Sequence, residues 1–347
     1  MVDRSAPGGT VVDVDLALAG SGNISVIHGL AAAHTGSPII AVASRTAEKA
    51  RERAEQIGAR VVPFAELPAG ADAVVICTPP NHHTEIALQA IAGGAAVLIE
   101  KPLASTLADA DAIVAAGGRT LYGENLAFSP VVRRTLDLTA TIGELDYIEV
   151  RALSLRPTWG SFLEPSNGGG ALFDLGPHPI ALALLLARGE QPISVSATLE
   201  RSPGIEVDDH AVVMLQFASG LSARIEVSWR ETDVVWDIQA SSPTGVVRTD
   251  LLPIASIEYN GEPVQLPSSG RDVDPRFDHL GFIDQMEALE AVTSGAITSI
   301  DASFGRRVLD VICGAYRSAG NDNGPVPLPF AGPRDRSPHS LWVDQGD

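Results

Sequence analysis

The chain predicts an α/β protein: an N-terminal doubly wound parallel sheet, followed by a C-terminal α/β half with a large open, mostly antiparallel sheet. Three observations carry this reading. Short apolar runs alternate with helical stretches over the first 125 residues. A glycine-rich turn, GSGNIS (20–25), joins the first of those runs to the first helical stretch. Beyond residue 190, strand-like runs follow one another with only tight turns between them. At 347 residues and 45% hydrophobic content the chain suits two domains better than one.

Residues 1–13 read as a loose arm. DLALAG (15–20) is a buried strand, followed by a helix to about His34. IIAVAS (39–44) is the second strand, and TAEKARERAEQIG (46–58) is a helix with Thr46 as cap and Gly58 as stop. AVVICTP (73–79), AAVLIE (95–100) and TLYGEN (120–125) are further strands, separated by helices over 82–94 and 105–118. Continuous apolar strands alternating with helices make a parallel sheet covered on both faces. A helical stretch near 129–140, a strand near 145–155 and an apolar helix through 179–188 open the second half. ISVSATLER, HAVVMLQFA, LSARIEVSW, VVWDIQASS, GVVRTDL and SIEYN then read as an antiparallel meander with one buried face. Helices over 276–294 and 302–318 follow, and the residues from Gly320 read as extended. The domains expected are 1–125, 126–330, and an extended tail over 331–347.

Twenty-four Lys and Arg against 43 Asp and Glu leave a formal charge of −19. Such a surface repels nucleic acid and anionic membranes, so neither is an expected partner. Cys77 and Cys313 are far apart, with no disulfide framework or zinc spacing, so no metal is expected. No signal peptide and no run of about 18 uncharged apolar residues is read, which makes the cytoplasm the expected compartment.

GSGNIS is one residue short of the G-x-G-x-x-G/A dinucleotide fingerprint. Gly20 allows the tight turn, and Gly22 lets backbone approach a pyrophosphate resting on the helix N-terminus beside Ser21, Asn23 and Ile24. Ser25 is small enough to keep helix and strand close. At the end of the second strand, where an acid would accept a ribose 2′-hydroxyl, the chain reads Ser44-Arg45-Thr46. A serine and an arginine there favour a 2′-phosphate, with Lys49 adding charge, so NADP(H) is expected over NAD(H).

This loop, with ICTPPNHHTEIALQAI (76–91), VLIEKPLA (97–104) and GGGALFDLGPHPI (168–180), resembles the Gfo/Idh/MocA oxidoreductases over roughly residues 15–320. Asp208-Asp209-His210 and the SGL…SW strands belong to the same likeness. The resemblance implies a Rossmann domain, an α/β domain whose open sheet builds a homodimer or homotetramer, and hydride transfer between a nicotinamide and a hydroxyl or carbonyl of a sugar, cyclitol or related diol. It implies Lys101 as the catalytic lysine, with Asp174 and His178 as carboxylate and acid/base histidine, all three also touching substrate. It implies cofactor contacts from Cys77, Thr78, Pro79 and Pro80, from His83 and Glu100, and from Lys101 and Asn125. Three departures stand out: Ala181 and Ala127 occupy places where the family often has Asp and Arg, and Ser25 ends the loop. Trp159, Ser161 and Arg156 are further substrate candidates.

Removing a hydride from an alcohol carbon requires a base at its oxygen, and the reverse requires an acid. A lysine at a parallel strand end beside a cofactor crevice suits that task. Pro102 forbids an immediate helix after it. Glu100 either contacts the cofactor or holds the lysine. Asp174 and His178, four apart, share a face if the turn is helical, but Pro177 and Pro179 remove two donors there. Gly168, Gly169 and Gly170 permit close approach of cofactor or substrate. Two other readings use the same residues: a redox-neutral glycoside-cleaving enzyme of this family, and a regulatory sensor that binds the cofactor without turnover.

Overall fold

The computed structural model describes residues 14–158, 162–167 and 169–344. The arm over 1–13, Trp159, Ser161 and Gly168 lie outside them. Chain order begins β1 (Leu16–Ala19), α1 (Asn23–Thr35), β2 (Ile39–Ala43), α2 (Ala47–Ile57), β3 (Arg60–Val61), β4 (Ala73–Ile76), α3 (His83–Ala92), β5 (Ala96–Glu100), α4 (Leu107–Ala116) and β6 (Thr120–Gly123). These six strands form one sheet in the order β3-β2-β1-β4-β5-β6, and every pairing is parallel. β1, β4 and β5 are buried at every position, as strands covered on both faces must be.

The chain continues with α5 (Pro130–Thr139), β7 (Tyr147–Leu155), α6 (Ala171–Asp174), α7 (Pro177–Leu186), β8 (Pro192–Glu200), β9 (His210–Phe217), β10 (Ser222–Ser228), β11 (Arg230–Ser242), β12 (Gly245–Leu252), β13 (Ser256–Tyr259) and β14 (Glu262–Pro263). It closes with α8 (Pro275–His279), α9 (Phe282–Thr293), α10 (Ala302–Ala319), β15 (Val326–Pro327) and α11 (Pro338–Val343). The second sheet has nine strands in the order β14-β13-β12-β11-β7-β10-β9-β8-β15. It is not a plain meander: β7, early in the chain, lies between β11 and β10 and runs parallel to β10. β7 alternates inward and outward side chains, and α7 packs on the inner face against β7 and β10. Nearly every residue of α7 is buried, which explains its uniformly apolar sequence.

The chain divides into two compact units, each discontinuous. One holds residues 1–104, 109–123 and 282–306, and the other holds 105–108, 124–281 and 307–347. α9 therefore belongs with the six-stranded sheet, where it packs against α1, β5 and β6. The helix expected over 276–294 is split at Gly281, whose φ is +80° and whose missing Cβ would meet Ser129 N at 2.5 Å. The tail is not extended throughout: Ser337 caps α11 by accepting from Ser340 N, with Pro338 in the first turn.

Candidate active site

Strand order reverses direction between β1 and β4, and the carboxyl ends of such neighbours form the crevice that binds ligands in open α/β sheets. Four segments leave adjacent strand ends there. Gly20-Ser21-Gly22 follows β1, Ser44-Arg45 follows β2, Cys77-Thr78-Pro79 follows β4, and Glu100 ends β5 with Lys101 next.

The glycine loop fits a dinucleotide. Gly20 has φ +119°, and a Cβ on it would lie 2.7 Å from the Cys77 carbonyl, so only glycine passes β4 this closely. Gly22 has open space where its Cβ would be, so backbone rather than side chain faces a ligand at the start of α1. No side chain caps that first turn and no acid lies in it. Asn23 is exposed, and Ser21 and Ile24 are partly so. Ser25 turns inward and donates to the Gly22 carbonyl at 2.6 Å, while Arg53 donates to its hydroxyl at 3.2 Å. Ser21 and Ser44 share a 2.7 Å hydroxyl contact that ties the loop to the end of β2. Arg45, Thr46 and Lys49 are exposed beside it, and Glu48 is the one acid in the first turn of α2. Thr46 occupies the cap position of that helix without a side-chain hydrogen bond.

Glu100 is buried at the end of β5. Its Oε1 lies 2.7 Å from His28 Nε2, and its Oε2 accepts the Lys101 backbone N–H at 3.0 Å. Burial pushes this carboxyl up, but the His28 bond, with the charges of His28 and Lys101, outweighs it and holds the group below the usual range. Glu100 thus ties the Lys101 backbone to the end of β5. Lys101 itself is partly exposed, and its bond to Pro102 is cis. His28 is fully buried on α1, edge-on to Phe282. It was not singled out from the sequence, although a histidine inside an apolar helix six residues past the glycine loop was a usable signal.

His83 is also fully buried. Its Nε2 lies 2.7 Å from the Thr78 carbonyl, and its Nδ1 lies 3.1 Å and 3.3 Å from the carbonyls of Pro102 and Leu103. Burial pushes the imidazole down, and these carbonyls act against it. A polar contact to a cofactor would have to displace them, so His83 stands as a strut between the segments after β4 and β5. Cys77 lies behind Gly20, its thiol pushed well up by burial and then by Glu100, and so kept protonated.

In the other unit, the path from α6 into α7 stays helical through Leu175 and Gly176. The prolines shift its ladder without breaking it. Pro179 has no N–H to give Leu175, and the Leu175 carbonyl takes the His178 N–H at 3.2 Å instead. Asp174 and His178 are both nearly buried, at 8% and 6% exposure. The carboxylate on His178 Nδ1 is Glu124, whose Oε1 lies 2.9 Å away. Glu124 is fully buried, caps the turn after β6 by accepting from Leu126 N, and was missed from the sequence. An ionised carboxylate only accepts, so a tautomer with its proton on Nδ1 would leave the Nε2 lone pair available.

Asp208 anchors the start of this segment. Its Oδ2 accepts from Leu172 N at 2.8 Å and its Oδ1 from the Tyr316 hydroxyl at 2.5 Å. Burial pushes its carboxyl up to about 6, against the pull of those two donors. Gly170 has φ +117°, and its missing Cβ would fall 2.0 Å from Asp208 Oδ1, while that of Gly169 would fall 2.2 Å from the Phe162 carbonyl. The close approach expected of these glycines is therefore made to the protein's own groups. Asn125 donates through Nδ2 to the Leu280 carbonyl at 2.8 Å, and Arg156 pairs with Asp209 at 3.7 Å.

Two family models match the chain. Residues 14–120 match an oxidoreductase family with an NAD-binding Rossmann fold, and residues 134–238 match the GFO/IDH/MocA C-terminal domain. Inositol 2-dehydrogenase of Rhizobium meliloti (strain 1021) is 30% identical over 237 residues, covering 63% of this chain and 70% of that protein. A dTDP-3,4-didehydro-2,6-dideoxy-alpha-D-glucose 3-reductase of Saccharopolyspora spinosa is 32% identical over 200 residues, covering 54% of this chain and 59% of that one. Among solved structures, GenD2 from gentamicin A biosynthesis, in complex with NAD, has a similar fold. It superposes with a TM-score of 0.82 at 24% identity, over 94% of this chain and 99% of that one.

Proposed function

Since the chain belongs to the Gfo/Idh/MocA family of oxidoreductases, we propose that it transfers a hydride between NADP(H) and a hydroxyl or carbonyl carbon of a sugar, cyclitol or related cyclic diol. The observation that carries this is Lys101 at the carboxyl end of β5, one strand from the switch point between β1 and β4. Relatives named as an inositol dehydrogenase and a sugar 3-reductase support the substrate class. The bound nicotinamide supplies the hydride or takes it. Gly20, Ser21, Gly22 and the start of α1 hold the dinucleotide phosphates, and Thr78 and Pro79 wall the nicotinamide side. Lys101 and His178 exchange the substrate's proton, and Glu124 keeps the lone pair of His178 on Nε2. Asp174 orients the substrate hydroxyls.

The preference for NADP(H) rests on exposed Arg45, with Ser44 beside it, at the end of β2 where an acid would repel a 2′-phosphate. We also propose a homodimer or homotetramer built on the outer face of the nine-stranded sheet. There Arg224 bridges Glu149 and Glu226 at 2.7 and 2.8 Å, leaving few unpaired charges to bury. The cytoplasm suits two buried free cysteines; among the described residues no helix is long and apolar enough to cross a membrane.

The test is a panel of polyols followed at the nicotinamide absorbance with both cofactors. NADPH should raise the melting temperature more than NADH, and Lys101→Ala should abolish turnover while leaving cofactor affinity within about twofold. Stronger stabilisation by NADH would overturn the Arg45 reading, and unchanged turnover would remove Lys101 from the chemistry.

A further inference from the structure

His178 has a second neighbour besides Glu124. Trp236, on β11, sets its ring centroid 5.0 Å from that of the imidazole, tilted by 43°. It faces the inner side of the sheet, the side that also carries buried Ile238 and Ala240. β11 is irregular here on both flanks. Its register against β7 slips between Arg230 and Val235, and against β12 it slips between Trp236 and Asp237. Bulges of this kind re-aim side chains beside active sites.

The indole Nε1–H is buried and has no acceptor among the described residues. Indole nitrogen is a donor only, and a buried donor without an acceptor costs about 1–3 kcal/mol. A ring kept for packing alone is served as well by phenylalanine, which carries no such cost. An orphan donor on a ring packed against the His178 imidazole instead matches a ligand that brings an oxygen to each of the two rings.

We propose that Trp236 is a substrate-recognition residue, whose indole N–H donates to an oxygen adjacent to the carbinol that His178 deprotonates. The inference rests on the dehydrogenase reading of His178 and narrows it: the substrate carries vicinal oxygens, and a lone alcohol leaves the donor unmet. Trp236 exchanges no proton in the reaction; it selects and orients.

The experiment titrates the nitrogen-labelled protein, loaded with NADP(H), with myo-inositol, D-glucose, trans-1,2-cyclohexanediol and cyclohexanol. The chain has four tryptophans, so the indole signal that vanishes in Trp236→Phe assigns itself. That signal should move with at least one of the three polyols and stay still with cyclohexanol. Trp236→Phe should weaken that polyol's binding by about two- to tenfold without weakening cofactor binding. A signal unmoved by all three polyols, or moved as far by cyclohexanol, overturns the proposal. Turnover of a polyol with the signal unmoved leaves the dehydrogenase reading standing and removes Trp236 from it. A moving signal with no turnover of any polyol does the reverse.

Discussion

Among the described residues, each compact unit holds a buried imidazole–carboxylate pair, and the two differ in what surrounds the second ring nitrogen. In the six-stranded unit, His28 Nε2 meets Glu100 Oε1 at 2.7 Å, and the other ring nitrogen is buried with no hydrogen-bond partner among the described residues. What that pair reaches next, through the second oxygen of Glu100, is the backbone N–H of Lys101. In the nine-stranded unit, His178 Nδ1 lies 2.9 Å from Glu124 Oε1, and under the proposed function the remaining nitrogen is the one that would exchange the substrate's proton. On the proposed reading, the same two groups serve as a brace in the first unit and as a proton acceptor in the second.

Amide substitutions that keep each donor break the comparison most directly. Asparagine mimics a donating Nδ1 and glutamine a donating Nε2. His178→Asn should lower kcat by about 10²- to 10⁴-fold with cofactor affinity unchanged, while His28→Gln should leave kcat within about threefold. Steady-state kinetics beside cofactor titration decides it; comparable losses in both variants would mean that the two pairs do not differ in role. A smaller effect belongs to Glu124→Gln, which keeps the shape and lets the wrong ring nitrogen carry the proton. There kcat should fall about tenfold or more while the melting temperature stays within about 2 °C, and an unchanged kcat would reduce Glu124 to packing.

The smallest effect sharpens a third carboxylate. Asp208 is raised in the folded protein to about 6 from a usual value near 3.8. The folded state therefore binds more protons than the unfolded one between those values, and its contribution to stability declines as pH rises through about 6. Asp208→Asn has no such group. The melting temperature of the variant minus that of the wild type should rise by a degree or two between pH 5 and pH 7.5. A difference flat with pH would show that Asp208 does not titrate there.

The six-stranded unit was largely legible because its signals are local. A turn, a strand end and a cap are each written in a few consecutive residues, and GSGNIS, Ser44-Arg45 and Glu100-Lys101-Pro102 fell at the strand ends the alternation predicted. What stayed hidden joins distant positions. His28 and Glu100 are 72 residues apart, and Glu124 and His178 are 54 apart. No periodicity carries such a pairing, and Glu124 was not singled out. Gly169 and Gly170 show the complementary limit, since a glycine announces close approach without saying to what. The meander misled for a similar reason: strand succession says nothing of an earlier strand inserted between two later ones.

The return of α9 to the first sheet bears on how the protein is made. A ribosome that has finished residue 125 has completed all six strands of that sheet, but the helix that covers α1 and β5 begins at Phe282. Until then the apolar surface around α1 stays bare or borrows shelter from a chaperone. The six-stranded unit therefore lacks the cover of α9 until Phe282–Thr293 has been made, and a fragment ending near residue 125 leaves that apolar surface bare.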